Sequence, residues 1–311
     1  MSYSLNQLYD AVGITRQAVW EYQRRKEAEL ELIKQVLQQV DSRRGEHPGE
    51  GLEKMYWQIQ PEGMGRDRFC EIFMGLGYGL KRRRNPVRTT IPAHKVFGNL
   101  IESQLVDGPN QIWQSDITYF RLGSRFYYLT FIVDVYTKVI VGYAVSDNLR
   151  AEANCKALKM ALKRYKDHDL SGLTHHSDRG SQYIDGTYLK MLRDGGIRIS
   201  MGRKAQDNAY AERINGTIKN EYLYPRELRT FKELKRYTRQ AVTDYNTKRH
   251  HLSLNRTNPV DFEKQWHLYN RCERPVMIIR SENTPVNIPK KSQDLPKKSG
   301  EQFPYCPLIL N

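Results

Sequence analysis

The sequence has few cysteines and no long apolar run. Four cysteines occur among 311 residues and none forms a CxxC pair, which argues against a disulfide scaffold and against zinc held by cysteine. No stretch approaches the ~18 consecutive apolar residues of a transmembrane helix. The N-terminus also lacks the basic and apolar regions of a secretory signal. We therefore expect a reduced, cytoplasmic chain with no membrane partner.

Acidic residues are outnumbered by basic ones. The chain has 50 Lys and Arg against 35 Asp and Glu, which gives a formal net charge of +15. Hydrophobic residues make up 39% and aromatic residues 11% of the sequence, enough for a core, so wholesale disorder is excluded. A chain this basic is suited to a polyanionic partner, with nucleic acid ahead of a membrane surface.

The N-terminal end predicts a helix-turn-helix. Apolar residues at helical spacing precede a break at Gly13, and Thr15 is suited to cap a second helix that ends near Arg24. That helix would present Arg16 and Gln17 to a DNA groove. A plain helical hairpin is the alternative, so residues 1–25 are predicted to be a helix-turn-helix-like DNA-binding segment mainly because of the charge.

Residues 26–44 predict a helix with an apolar stripe. The stripe, at 3-4-3 spacing, consists of Leu30, Ile33, Leu37 and Val40. Two heptads fall short of the ~3–4 that identify a coiled coil. A short dimerisation seam between two chains and packing within one chain are therefore equally good explanations.

Residues 45–84 predict a second helical DNA-binding region, made of two short helices and a basic run. For this run we expect phosphate contacts, although such runs are often only solvated surface. It consists of Lys81, Arg82, Arg83 and Arg84. Residues 85–108 are predicted to be a linker.

Residues 109–268 predict a mixed α/β unit. Strands over 112–120, 125–135 and 138–145 follow at short intervals, which favours an antiparallel meander. A helix, strand, helix and strand come next, so two parallel strands should join the sheet, with helices on its faces. Residues 269–311 are rich in proline and predict a loosely ordered tail.

Three acidic residues in this unit are placed to converge. Asp116 lies in the first strand, Asp178 directly after the fourth, and Glu212 in the first turns of a helix. Hard cations such as Mg²⁺ prefer carboxylate oxygens, and two such ions about 3.5–4 Å apart assist phosphoryl transfer. Taken singly, Asp178 and Glu212 have simpler explanations as a turn residue and a solvated helix residue.

Four motifs in order resemble the integrase core of bacterial insertion-sequence transposases, the DDE class, which is similar to retroviral integrases. They are WQSDIT (113–118), HSDRGSQY (176–183), DNAYAER (207–213) and YNTKRHHLSL (245–254). The resemblance implies an RNase H-like fold and strand transfer by Asp116, Asp178 and Glu212 with two Mg²⁺, for which Mn²⁺ can substitute. It also implies that Lys219, seven residues after the glutamate, reaches DNA.

The resemblance has one departure and leaves two other acids to consider. The family usually has thirty-five residues between the second aspartate and the glutamate, whereas 33 separate Asp178 from Glu212. Asp207 is the fallback ligand if this shorter loop moves the helix. Asp134 lies on the second strand, where the family has no catalytic residue.

The function implied is that of a transposase that binds the terminal inverted repeats of its element, cuts DNA and joins the 3′-hydroxyl to another phosphodiester. Its partners would be double-stranded DNA, at the element ends and the target, and further copies of itself in a homodimer or larger assembly on DNA in the nucleoid. The fourth motif would place Lys248 and Arg249 against phosphates. An RNase H-like nuclease that does not join, and a non-catalytic DNA-binding regulator, are the alternatives.

Overall fold

A computed structural model describes residues 9, 11–80, 97–202, 205–270 and 274–279. The chain divides into two compact units, Met1–Arg83 and Arg84–Asn311, each with its own hydrophobic core. Several predicted features lie outside the described residues. They are the first helix up to Leu8, the basic run Lys81 to Arg84, residues 85–96 of the linker and most of the C-terminal tail.

The N-terminal unit contains a long helix, α1 (Arg16–Glu46), followed by α2 (Leu52–Ile59) and α3 (Arg66–Gly75). The Thr15 hydroxyl accepts a hydrogen bond from the Ala18 backbone amide, 3.1 Å away, which confirms the predicted cap. The predicted helix end near Arg24 is wrong, because α1 continues for 31 residues. No Gly or Pro interrupts this stretch until Gly45, and most of its residues favour a helix.

The core of the N-terminal unit uses part of the apolar stripe. Val40 is fully buried, together with side chains of α2 and α3 such as Met55 and Phe73. Ile33 and Leu37 are partly buried against the same cluster, whereas Leu30 is 55% exposed. Packing within the chain therefore explains the apolar residues in the C-terminal part of the stripe, whereas its first residue, Leu30, is not part of this core.

The second unit is built on a five-stranded mixed sheet. The strands along the chain are β1 (Leu105–Val106), β2 (Ile112–Leu122), β3 (Arg125–Asp134), β4 (Ile140–Ser146), β5 (Thr174–Ser177), β6 (Arg198–Met201) and β7 (Met277–Ile278). The sheet has the order β4-β3-β2-β5-β6, in which β2, β3 and β4 are antiparallel and β5 and β6 run parallel to β2. This is the predicted RNase H-like arrangement, and it is confirmed.

Helices cover both faces of the sheet. They are α4 (Ala151–Arg164), α5 (Gly186–Asp194), α6 (Ala209–Thr217), a π-helical turn (Ile218–Leu223), α7 (Phe231–Thr247) and α8 (Pro259–Gln265), with short 3₁₀ turns at Ser181–Ile184, Ala205–Asn208, Leu252–Leu254 and Trp266–Leu268. Side chains alternate along a strand, so Ile132 packs with α4 and α5 while Phe131 and Val133 pack with α6 and α7.

Parts of the predicted linker and tail are ordered, which corrects the sequence analysis at those residues. Strand β1 pairs antiparallel with β7, and Ile101, Val106, Met277 and Ile279 are buried in one cluster. Alternating apolar residues in both segments explain the pairing, since each strand turns one side into the core. Among the described residues, no helix is both long and apolar enough to cross a membrane.

Candidate active site

Asp116 lies in the central strand β2, on the side of the sheet covered by α6. The Asn215 side-chain amide donates a hydrogen bond to Asp116 Oδ2 over 2.7 Å. Burial, followed by the negative charges of Asp178 and Glu212, raises the pKa of Asp116 to about 8. The three acids that the sequence singled out are therefore close enough to repel one another.

Asp178 lies directly after β5, whose parallel pairing with β2 brings its end beside Asp116. Its Oδ1 accepts a hydrogen bond from the Gly180 amide at 3.0 Å, and burial raises the pKa of this carboxyl. A Cβ at Gly180 would lie 3.0 Å from that same oxygen. The glycine therefore lets the turn close around the carboxylate.

Glu212 is exposed in the first turn of α6. Burial and the charge of Asp178 raise the pKa of Glu212. Two amide side chains fix this helix to β2. Gln114 Oε1 accepts from the backbone amides of Tyr210 and Ala211 at 3.1 and 3.3 Å, and Asn208 Nδ2 donates to the Ser115 carbonyl at 2.9 Å.

The donor set suits a hard divalent cation. Three carboxylates from separate elements supply oxygen ligands, and their mutual repulsion would be relieved by a cation among them. Among the described residues, no three Asp, Glu, His or Cys side chains are spaced to hold a metal ion as they stand. Glu212 is the most exposed of the three acids and has the most room to adjust to a cation.

Lys219 lies in the π-helical turn after α6 and is buried. Its Nζ donates to Thr118 Oγ1 at 2.7 Å, two residues along β2 from Asp116. Burial lowers the pKa of Lys219, and the charge of Asp116 raises it in part. The ammonium group is thus beside the acidic cluster and within the protein rather than on an exposed helix face.

The remaining predicted DNA-binding residues are distributed over both units. Arg16 and Gln17 are exposed in the first turn of α1, and the Gln17 amide donates to Glu21 Oε1. Lys248 follows α7 and pairs with Asp244 at 3.2 Å. Arg249 is buried and its guanidinium forms an ion pair with a glutamate of the π-helical turn, so a phosphate contact there would require that pair to break.

Other polar residues of the motifs have partners inside the protein. The buried rings of His175 and His176 hydrogen-bond to the hydroxyls of Tyr188 and Ser200, and burial lowers their pKa values to about 3 and about 4. Both imidazoles are therefore neutral structural groups at physiological pH. Asp134 is also buried, and its Oδ2 accepts from the Thr137 hydroxyl at 2.7 Å.

Sequence reasoning gave no role to Gln114, Asn208 or Asn215, although all three lie within or beside the motifs. A buried glutamine in a strand is a signal that could have been used, because it must find hydrogen-bond partners. The partners themselves are 93 to 99 residues away along the chain. No local pattern identifies them.

The chain is similar to known transposition proteins. Two family models described as integrase core domain match residues 106–206 and 195–259. An insertion element IS600 protein of 31 kDa from Shigella sonnei is 34% identical over 225 residues, which cover 70% of this chain and 82% of that protein. The transposase for insertion sequence element IS629 from Shigella sonnei is 33% identical over 227 residues, covering 71% and 76%.

Solved structures include similar chains at lower identity. The catalytic core domain of HTLV-2 integrase, solved in complex with magnesium in a dimeric form, is 18% identical; the match covers 50% of this chain and 97% of that one, with a TM-score of 0.39. The assignment to a family is based instead on the integrase core matches and on the insertion-sequence relatives. The chain belongs to the bacterial insertion-sequence transposases that carry an integrase core domain, and its function is DNA transposition.

Proposed function

We propose that this transposase binds the terminal inverted repeats of its insertion sequence and carries out Mg²⁺-dependent cleavage and strand transfer with Asp116, Asp178 and Glu212. The observation that carries the proposal is the placement of three carboxylates from separate elements, since β5 pairs with β2 beside Asp116 and α6 is hydrogen-bonded to Asp116. The charges of Asp178 and Glu212 accordingly add to burial in raising the pKa of Asp116. Placing three carboxylates close together without a cation lowers the stability of the protein. A metal-dependent active site would explain why they lie together.

The three carboxylates would hold two Mg²⁺ ions, or Mn²⁺ in their place. When bound, such a pair polarises the phosphodiester and stabilises the attacking and leaving oxygens. The chain's own residues hold the carboxylates in place. Asn215 orients the Asp116 carboxylate by its 2.7 Å hydrogen bond, Gln114 fixes the start of α6, and Gly180 keeps Asp178 in its turn.

DNA binding in this proposal uses two kinds of contact. Arg16 and Gln17, exposed at the start of α1, would read bases. The Lys81 to Arg84 run, together with Lys248 and exposed basic residues of α7, would contact phosphates, which position the duplex but carry no sequence information. Because two element ends must be joined, the working form would be a homodimer or larger assembly on DNA.

The test is an assay of purified full-length protein with a labelled end fragment and Mg²⁺, scored for both nicked and joined products. We expect both products from the wild type. Asp116→Asn, Asp178→Asn and Glu212→Gln should each lower both rates by at least about two orders of magnitude, because the charge that holds the cation is lost. Binding of end DNA should change little.

Asp207→Asn is the matched control, since Asp207 is the neighbouring acid considered as a fallback ligand, and it should retain activity. Nicking without joining in the wild type would favour the nuclease, and binding with neither product would favour the regulator. Loss of activity in Asp207→Asn with retention in Glu212→Gln would exchange the two assignments.

A further inference from the structure

Arg249 belongs to the fourth motif and is surrounded by partners within the protein. Its Nε and Nη2 donate to the two carboxylate oxygens of Glu221 at 2.7 and 2.8 Å. Its Nη1 lies 3.0 and 3.2 Å from the ring nitrogens of His251, and the guanidinium carbon is 5.6 Å from the centre of the Tyr245 ring. Only 8% of the residue is exposed. A buried, bidentate ion pair of this kind fixes the relative orientation of the two side chains as well as pairing their charges.

Glu221 lies in the π-helical turn, Ile218–Leu223. In this turn the Tyr224 amide donates to the Lys219 carbonyl, five residues back, at 2.8 Å. π-Helical turns are rare and occur mostly as single bulges inside α-helices, often at functional sites. The Glu221 pair with Arg249 ties this turn to the segment that follows α7.

The same π-helical turn carries Lys219 toward the acidic cluster. Lys219 donates to Thr118, and Thr118 lies two residues from Asp116 in β2, on the same face of the sheet. The Lys219 ammonium is therefore on the strand face that carries the acid. Arg249 and Lys219 thus hold one turn from two sides, with Glu221 and Thr118 as their respective partners.

We propose that Arg249 is a positioning residue for the active site: through its ion pair with Glu221 it holds the π-helical turn that keeps Lys219 beside Asp116. The importance of this placement for strand transfer rests on the proposed function. The placement itself does not, because it is a property of the protein without DNA or metal. In this proposal Arg249 does not contact a DNA phosphate, contrary to the prediction from the sequence. The experiments below distinguish the two roles.

The first experiment measures acylation of individual lysines by mass spectrometry in the full-length protein without DNA or metal. Lys219 is buried and should react slowly in the wild type. Arg249→Gln and the milder Glu221→Gln should each raise its reactivity by roughly tenfold, a coupling in the range seen for contacting residues. Lys138 is the internal reference, because its Nζ donates to the Val135 carbonyl at 2.6 Å, outside this network.

Arg193→Gln, an exposed arginine at the end of α5, is the matched control and should leave Lys219 protected. The charge-reversed pair Arg249→Glu with Glu221→Arg should restore part of that protection. The proposal would be overturned if Lys219 stayed protected from acylation in both single variants. It would also be overturned if the acylation rates of Lys219 and Lys138 rose equally in Glu221→Gln, because an equal rise would indicate that the whole fold has loosened.

The second experiment is a double-mutant cycle of strand-transfer rate with saturating end DNA. Lys219→Met and Arg249→Gln should each slow joining, and the double variant should be no slower than the slower single one, because both changes remove the same placement. The affinity for end DNA should be unchanged by Arg249→Gln. Additive losses, or weaker binding with an unchanged rate, would overturn the positioning role. If the wild type joins no DNA, the proposed function fails while the acylation result stands.

Discussion

Gln114, Asn208 and Asn215 connect β2 to the segment that carries Glu212. Each is an amide rather than a charged group, so each can hold a carboxylate-bearing element without neutralising the carboxylates. Asn215 donates directly to Asp116, whereas Gln114 accepts from amides at the start of α6. At the scale of residues, the acids are thus held together by hydrogen bonds against their own repulsion.

Burial of the Asp116 carboxyl, together with this repulsion, predicts that Asp116→Asn stabilises the metal-free protein. The pKa of Asp116 is raised to about 8, above the ordinary value near 4 in the unfolded chain. The ionised form is therefore disfavoured by folding, and the loss of stability grows as the pH rises from about 4 to about 8. In a chelating buffer the variant should melt higher than the wild type, by roughly 2–4 °C for each kcal/mol recovered.

Calorimetry at pH 8 and pH 5 checks the prediction, and the stabilisation should be larger at pH 8. Adding Mg²⁺ should raise the melting temperature of the wild type more than that of the variant, because a ligand stabilises the form that binds it. A lower melting temperature for Asp116→Asn at pH 8 in chelator would contradict the claim that burial and repulsion disfavour the ionised carboxyl.

Elements with strong local patterns were predicted correctly. The β-rich runs and the alternation of helix with strand predicted three antiparallel strands followed by two parallel ones, as the structure has them, and Thr15 was identified as a cap. The end of the helix near Arg24 was wrong because no residue there stops a helix. The π-helical turn at Ile218–Leu223 was missed. The partners of Lys219 and Glu221 in this turn, Thr118 and Arg249, lie 101 and 28 residues away along the chain, where no local pattern identifies them.

At the scale of elements, the contact between α4 and β4 depends on Gly142. A Cβ there would lie 2.1 Å from the Ala157 carbonyl oxygen and 3.2 Å from the Ala161 amide nitrogen. Both are backbone atoms, which cannot move aside as a flexible side chain would. Gly142→Ala should therefore separate helix from sheet and lower stability by about 1–3 kcal/mol or more.

Gly172→Ala is the matched control for this change, because nothing lies within 4 Å of the added Cβ. It should be neutral or stabilise by up to about 1 kcal/mol, through a less flexible unfolded chain. Urea unfolding of both variants gives the two free energies. Equal stability for Gly142→Ala and Gly172→Ala would show that helix and strand are not in close contact.

At the scale of the whole molecule, the chain has a net charge of +15, and helices on both faces of the sheet in the second unit expose basic residues. Helix α7 packs on the same face as α6 and exposes Lys232, Lys235 and Arg239. Helix α4 packs on the opposite face and exposes Lys156, Lys159 and Lys163. Only the first face carries Glu212 and the amide that binds Asp116, so DNA at the acidic cluster should contact α7.

Binding of end DNA should therefore weaken steeply with salt, and the α7 lysines and arginine should account for part of the slope. Replacing Lys232, Lys235 and Arg239 by Gln should lower affinity for end and random DNA alike, since phosphate contacts carry no sequence information. It should also reduce the slope of log affinity against log salt by about 0.9 for each phosphate that the protein no longer neutralises. The same change at Lys156, Lys159 and Lys163 removes equal charge from the other face and should leave the slope nearly unchanged. Fluorescence anisotropy over a salt series measures both, and an equal reduction of the slope in the two triple variants would mean that net charge, rather than the α7 face, determines binding.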